Sequence, residues 1–222
     1  MTFEEVYAQL EALGSEKFRA INARREAGEN QFGCLQGDLN KLAKTLKKNH
    51  ALGLELWATG NADARILATM ILDPKALSVD ELEAMVRPLT YDYLLDKLVD
   101  HVIAPSPHAD ALRERWRHLP EESLGRAGWK LVVARVSDKK KPALDVEGLL
   151  AEIEAGLREA SPRTQWAMNH ALVAIAVRHP ELRDRCVAMG ERLGVYAEMK
   201  VAKGCTSAYA PAWIAAVTRR GK

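Results

Sequence analysis

Three aspartates stand four residues apart in one segment, and their carboxylates could do acid–base chemistry. Asp92, Asp96 and Asp100 occupy positions i, i+4 and i+8, so on a helix they form one acidic stripe beside an apolar face. The helix N-terminal dipole offsets the charge of Asp92 but not that of Asp96 or Asp100. A carboxylate in this setting can position or deprotonate a water molecule for hydrolysis. The alternative is a solvated acidic face that balances the nearby Lys97.

The element that must position these aspartates is an amphipathic helix over 91–103. Thr90 is its predicted N-cap, and Leu89 and Leu94 stand where a hydrophobic staple would close the first turn. The predicted buried face is made of Tyr91, Leu94, Leu95, Leu98, Val99 and Val102.

Metal, nucleotide and thiol sites are not indicated elsewhere in the chain. The six histidines show no H-x-x-x-H spacing, and the glycines do not gather into a phosphate-binding loop. We therefore expect no metal and no cofactor. Cys34, Cys186 and Cys205 are too few and too widely spaced for a disulfide framework. Cys205 is interpreted as a buried structural thiol rather than a nucleophile.

Basic residues occur in clusters although the net charge is only +2. Lys44, Lys47 and Lys48, with Lys41, line the end of one predicted helix. The other clusters are Arg19, Arg24 and Arg25; Arg113, Arg115 and Arg117; Lys139, Lys140 and Lys141; Lys200 and Lys203; and Arg219, Arg220 and Lys222. If successive helices turn these clusters to one side, they form a groove that follows a phosphate backbone. Otherwise each is a solvated helix face.

The pattern of apolar residues predicts an all-α protein. Apolar positions recur at helical spacing in segment after segment, and aromatic residues make up only 6% of the chain. Helices are predicted over 2–13, 15–27, 36–48, 50–59, 61–72, 78–86, 91–103, 107–117, 121–136, 145–160, 162–178, 180–193 and 212–219. Paired, they recur at roughly 35 to 45 residues, close to the period of HEAT-like repeats. This favours an α-solenoid over 1–222 as one domain, with a compact bundle as the alternative.

The N-terminal segment does not have the pattern of a signal peptide. It carries Glu4 and Glu5 where such a peptide needs positive charge, and no apolar run approaches the length of a membrane span. We expect a soluble cytoplasmic protein.

Four segments resemble a known family of DNA repair proteins. They are LELWATGNADARILATMILDP at 54–74, SLGRAGWKLV at 123–132, QWAMNHALVAIAV at 165–177 and ERLGVYAEMKVAKGCTSAYAP at 191–211. In this order they are similar to the DNA alkylation repair family typified by the AlkD glycosylases. The resemblance implies a solenoid of HEAT-like repeats whose concave, basic face holds double-stranded DNA. It also implies excision of N3- or N7-alkylated purines by hydrolysis of the N-glycosidic bond.

The same resemblance implies catalytic residues. A carboxylate close to the deoxyribose stabilises the cationic sugar that forms as the alkylated base leaves. Asp96 matches the family's catalytic aspartate, with Asp92 as its assistant. Asp92 also stands four residues earlier, where active members of the family carry a tryptophan, so the chain departs from the pattern there.

DNA-contacting residues are implied in the same way. Arg126 matches an arginine beside the phosphate backbone, and Tyr91 or Tyr93 would contact the sugar or base edge. His170 stands where a second lesion-facing tryptophan belongs, which is a further departure. The alternatives are an exposed Arg126 paired with Glu122, and a buried hydrogen-bonded pair formed by Asn169 and His170.

Three functions follow as hypotheses. The first is an alkylpurine DNA glycosylase that works as a monomer without membrane or nucleotide cofactor. The second is a non-catalytic binder of damaged or branched DNA on the same scaffold, which the two replaced tryptophans favour. The third is a helical-repeat adaptor that binds another protein.

Overall fold

The computed structural model describes residues 1–141 and 144–220, with the Arg220 side chain left out. Lys222, which belongs to the last predicted basic cluster, lies outside these residues. All regular structure in the described ranges is helical. The helices are α1 (Phe3–Ala12), α2 (Glu16–Ala23), α3 (Gln36–Leu46), α4 (His50–Ala58), α5 (Ala62–Ile71), α6 (Val79–Val86), α7 (Asp92–Leu98), α8 (Ala109–Trp116), α9 (Glu122–Ser137), α10 (Val146–Gly156), α11 (Pro162–Arg178), α12 (Arg183–Leu193) and α13 (Ala210–Arg220). A π-helical turn, Val99–Ile103, follows α7, and a 3-10 turn, Pro180–Leu182, precedes α12. Every predicted helix is therefore present.

The chain forms two compact units, residues 1–112 and residue 113 onward. In the first unit, α5 is the central helix and packs against α3, α4 and α7. In the second, α11 packs against α9, α10, α12 and α13. Helix α11 contributes Leu172 and Ile175 to a core that also contains Trp129, which is 2% exposed.

The turn between α4 and α5 is fixed by side chains that the sequence displays as WATGNADAR. Gly60 has a φ of +71°, a conformation that favours glycine. The Asn61 side chain caps α5 by accepting the backbone N–H groups of Asp63 and Ala64 at 3.0 and 3.1 Å. Arg65 donates from Nε to the Trp57 carbonyl at 3.0 Å, and its guanidinium lies over the Trp57 ring. These conspicuous residues therefore hold a helix corner.

Asp63 fastens the loop that precedes α3. This carboxylate is 2% exposed and accepts the backbone N–H groups of Phe32, Gly33 and Cys34 at 2.7, 2.9 and 3.0 Å. Gly33 has a φ of +78°, and a Cβ there would lie 2.5 Å from the Ser15 carbonyl oxygen. In the irregular segment from Gly28 to Leu35, the part from Phe32 to Cys34 is thus tightly bound, whereas both ends of the segment are exposed.

A glycine lets α9 lie directly against backbone in the second unit. A Cβ added at Gly128 would overlap the backbone nitrogen of Arg117 and lie 2.7 Å from the Arg117 Cα. The contact surface is main chain, which cannot rotate away as a side chain can. Gly128 therefore sets how closely α9 approaches the turn that follows α8.

Candidate nucleic-acid interface

Helix α7 places the acidic stripe as its apolar spacing predicts. Asp92 and Asp96 are half-buried and Asp100 is exposed, whereas the predicted apolar face, from Tyr91 to Val102, is buried. The predicted N-cap is wrong by one residue. Tyr91 occupies that position and makes no side-chain capping bond, so the helix begins at Asp92. Thr90 is exposed just outside it.

The helix that carries Asp96 does not continue as a regular α-helix. The π-helical turn begins at Val99, where the sequence predicts uninterrupted α-helix to 103. Inside this turn, His101 Nδ1 lies 3.0 Å from the Thr69 hydroxyl. Burial is the main cause of a lowered pKa of His101, and the positive charge of Lys97 adds to it. π-Helical turns are frequent at functional sites, and this one lies three residues beyond Asp96.

Tyr91 and Tyr93 lie side by side, with ring centroids 5.9 Å apart. The Tyr93 hydroxyl donates a hydrogen bond to Gln36 Oε1, and the Lys97 ammonium lies 5.3 Å from the centroid of the Tyr93 ring. Both tyrosines line a cavity of about 240 Å³ within the first unit. The cavity lining does not include Asp92 or Asp96.

Arg126 lies inside the second unit. Only 5% of the residue is exposed, and its Nη1 donates to the Arg163 carbonyl at 3.4 Å. The alternative interpretation, an exposed helix arginine paired with Glu122, is therefore wrong. Glu122 is engaged by the backbone of Arg163, whose N–H lies 3.0 Å from Glu122 Oε1. The phosphate contact expected of Arg126 stays a prediction.

His170 belongs to a group of half-buried rings that we call the aromatic cluster: Trp166, His170, Tyr196 and Trp213. The His170 ring stacks on Trp213 with centroids 4.8 Å apart and planes 20° apart. Trp166 contacts Trp213 at 6.2 Å and Tyr196 at 5.5 Å. Burial raises the pKa of Tyr196, and the positive charge of Arg126 lowers it in part. The charge of Arg126 therefore acts on one member of the cluster, Tyr196.

The loop before α13 is anchored beside the aromatic cluster. Asn169 is 1% exposed and donates from Nδ2 to the Ala208 carbonyl at 2.8 Å, as expected for a buried polar group. Its neighbour His170 is instead half-buried. At the other end of the loop, Tyr196 has a φ of +63°, which a non-glycine residue adopts only where its surroundings hold it.

The three predicted DNA-contacting lysines differ in their surroundings. Lys44 and Lys47 are exposed at the end of α3, whereas Lys48 donates from Nζ to the Leu72 carbonyl at 2.7 Å. Lys48 is therefore engaged with the end of α5. The DNA contacts of all three lysines stay predictions.

Two of the other basic clusters contain arginines in ion pairs, and in the first of these Arg19 pairs with Glu16 at 2.9 Å. Arg113 pairs with Glu114 at 2.7 Å, and Arg117 pairs with both Glu114 and Glu152. Lys139, Lys140 and Lys141 are exposed before residue 142, as are Lys200 and Lys203 in the loop before α13. The convergence of the basic clusters on one concave face stays a prediction.

The fold and these geometries agree with one family of known proteins. A model of the DNA alkylation repair enzyme family matches residues 6–214. The chain belongs to the DNA alkylation repair family. This confirms the resemblance inferred from the four segments.

Three known proteins are similar to this family member over most or all of its length. A solved structure, described as a new family of proteins related to the HEAT-like repeat DNA glycosylases with affinity for branched DNA structures, matches with a TM-score of 0.86 and 26% identity. The match covers 100% of this chain and 95% of the other. An uncharacterized protein of Listeria innocua is 22% identical over 95% of this chain and 93% of its own length. One of Listeria monocytogenes is 21% identical, with 87% of each chain covered. The predicted all-α, HEAT-like fold is confirmed.

Three members of the aromatic cluster were not predicted from the sequence as candidate interface residues of this family member. Trp166 stands four residues before His170 on α11, a spacing visible in the sequence. Tyr196 and Trp213 come from a loop and a later helix, so only the fold shows that their rings meet Trp166. His170, which the resemblance matches to a tryptophan of the family, thus stacks on Trp213, and Trp213 in turn contacts Trp166.

The cysteines differ from one another in exposure. Cys34 and Cys186 are buried free thiols, as expected, and burial raises their pKa values to about 12 and about 11. Cys205 is exposed, so its interpretation as a buried thiol is wrong. Its loop turns outward between the anchored residues Tyr196 and Ala208. Across the described residues, no group of three or more histidine, cysteine or acidic side chains is placed to hold a metal ion, and no helix is long and apolar enough to cross a membrane.

Proposed function

We propose that this member of the DNA alkylation repair family binds branched DNA. The observation that carries the proposal is its full-length likeness to a protein with affinity for branched DNA structures. Because the likeness covers 100% of this chain, it supports a common mode of DNA binding in the two proteins. It is not limited to one shared segment.

The aromatic cluster gives this proposal a physical basis. At a branch point, base pairs open and base faces become accessible, and aromatic side chains stack on such faces with little dependence on sequence. The half-buried Trp213 and His170 rings form a stacked pair on the second unit. The positive charge of Arg126, which acts on Tyr196 of the same cluster, favours a polyanion over a neutral partner.

Exposed lysines supply the general attraction for phosphate. The net charge of +2 is too small to attract a polyanion by itself, so local groups must do so. Lys44, Lys47 and the run Lys139 to Lys141 are exposed. Each lysine that neutralises a phosphate releases counterions, so binding should weaken as salt rises.

Replacement of the central ring of the cluster tests the proposal. Trp213→Ala is expected to lower the affinity for a four-way DNA junction by about 5- to 100-fold, because a stacked base loses its platform. Affinity for a linear duplex of the same length should change much less. Fluorescence anisotropy with labelled junction and duplex at fixed salt measures both.

Trp213→Phe is the matched control, because it keeps an aromatic ring and should retain most of the junction affinity. Equal junction affinity in Trp213→Ala and the unaltered protein would contradict the role of the cluster. Failure of the unaltered protein to prefer junction over duplex would contradict the proposed function. Absence of any DNA binding would favour the adaptor hypothesis.

Base excision is the second candidate function, favoured by one observation. Asp96 is a half-buried carboxylate on the last turn of α7, immediately before a π-helical turn. Such a group can support the cationic sugar of a departing alkylpurine. We propose Asp96 as its carboxylate and Asp92 as an assisting charge.

Excision is tested with methylated duplex DNA. We expect slow release of N3- or N7-methylpurines by the unaltered protein and at least a hundredfold slower release by Asp96→Asn, about the size of a lost electrostatic contact to a transition state. DNA affinity should stay within about threefold of the starting value, because the helix and its apolar face are unchanged. Liquid chromatography of released bases provides the measurement. An alkylated duplex that keeps all its purines after long incubation with saturating protein would eliminate this candidate.

A further inference from the structure

The cavity beside Tyr91 has the dimensions and walls of a site for one planar ring system. Its volume of about 240 Å³ is below the roughly 300–1,000 Å³ of pockets for drug-sized ligands. Phe18, Leu39 and Ile66 line it, together with the rings of Tyr91 and Tyr93. Apolar and aromatic walls of this kind hold a flat heterocycle by stacking and by exclusion of water.

Polar side chains also line this cavity. Tyr91 is only 6% exposed, and Asn22 is half-buried. A hydroxyl and an amide at the wall of a cavity can form hydrogen bonds with a ligand inside it. Burial raises the pKa of Tyr91 to about 12, which keeps the hydroxyl a donor at neutral pH.

Charged groups at the cavity define the ligand further. Asp63 lines it, and its Oδ1 accepts one backbone N–H whereas Oδ2 accepts two, so Oδ1 retains acceptor capacity toward an amino group. Arg25 also lines the cavity, is exposed, and forms no ion pair within the described ranges. A ligand with a planar amino-bearing ring and a phosphate would satisfy the whole set.

We propose that this cavity of the first unit binds one unpaired nucleobase extruded at a DNA branch point. Tyr91 and Asn22 would hydrogen-bond the base edge, and Arg25 would contact the adjoining phosphate. The inference rests on the proposed binding of branched DNA. Bases at a branch point can already be unpaired, so their extrusion does not require the free energy of breaking a base pair. Asp63 favours bases with an exocyclic amino group, so adenine should be preferred to thymine.

The test asks whether the affinity gained from one unpaired base depends on the side chains that line the cavity. Two three-way junctions are compared, one with an unpaired adenine nucleotide at the branch and one with an abasic nucleotide at the same position. The unaltered protein should bind the adenine junction about tenfold more tightly. In Tyr91→Phe, and separately in Asn22→Ala, this ratio should fall to about threefold or less, because each variant loses a contact to the base edge. A thymine junction should bind with intermediate affinity.

Tyr7→Phe is the matched control, because Tyr7 contacts Phe3 and Phe32 and does not line the cavity. It should keep the tenfold ratio. The inference would be overturned if the unaltered protein bound the adenine and abasic junctions equally well, or if both cavity variants kept the tenfold preference for the adenine junction. Either result would leave the proposed binding of branched DNA intact. Absence of junction binding would remove both proposals. Free deoxyadenosine monophosphate is titrated as a separate arm: saturation by it without any base dependence in the junctions would assign the cavity to a free nucleotide and overturn the proposal.

Discussion

Asp63→Ala is expected to lower the free energy of unfolding by about 3–5 kcal/mol. The carboxylate is 2% exposed and accepts three backbone N–H groups from one loop. Its removal leaves those donors without a partner in a region that water enters only with difficulty, and each such group costs about 1–3 kcal/mol. Urea unfolding of both proteins at neutral pH measures the difference.

Two further variants separate this effect from a general loss of charge. Asp63→Asn keeps one oxygen acceptor and should lose about half as much stability. Asp38→Ala removes a half-buried aspartate that pairs with the exposed Lys41, and should cost about 0.5 kcal/mol or less. A loss below about 1 kcal/mol in Asp63→Ala would show that the loop finds other partners for its N–H groups.

Gly128→Ala should destabilise the second unit by about 3 kcal/mol or more, at the upper end of the range for overpacked sites. The new methyl group would meet the backbone at Arg117, so α9 itself would have to move. Arg126 and Trp129 lie on the same helix, and we therefore expect junction affinity to fall together with stability. Thermal unfolding and the anisotropy assay measure the two effects.

Gly37→Ala is the matched control, because Gly37 also lies in a helix but has no atom within 4 Å of an added Cβ. The higher helix propensity of alanine should stabilise that variant by up to about 1 kcal/mol. If both glycine variants were equally stable, close approach of α9 to the Arg117 backbone would not be a determinant of the fold.

Helices could be predicted from sequence because each one buries an apolar stripe with a period of 3.6 residues. That signal is local, and it places all thirteen α-helices of the part of the chain that the structure describes. The π-helical turn at Val99 was not predictable, since its register depends on packing and not on the apolar pattern. The one-residue error at Thr90 has a similar origin, because a good capping residue was present but the backbone begins the helix after Tyr91.

The candidate site could be predicted only in part. The resemblance to the family indicates Asp96 on α7 and His170 on α11, but nothing in the local sequence shows that Trp213 stacks on His170 or that Asp63 and Tyr91 line one cavity. The degree of exposure is equally non-local. Arg126 is buried and Cys205 exposed, the reverse of what their neighbouring residues suggest.

The outward position of Cys205 has a practical consequence. Its thiol is the only exposed one of three, while Cys34 and Cys186 are buried and resist ionisation near neutral pH. A maleimide dye can therefore be attached to the native sequence at a single position, in the loop that also contains Tyr196. Such a reporter would follow the arrival of a nucleic acid in real time without any engineered cysteine.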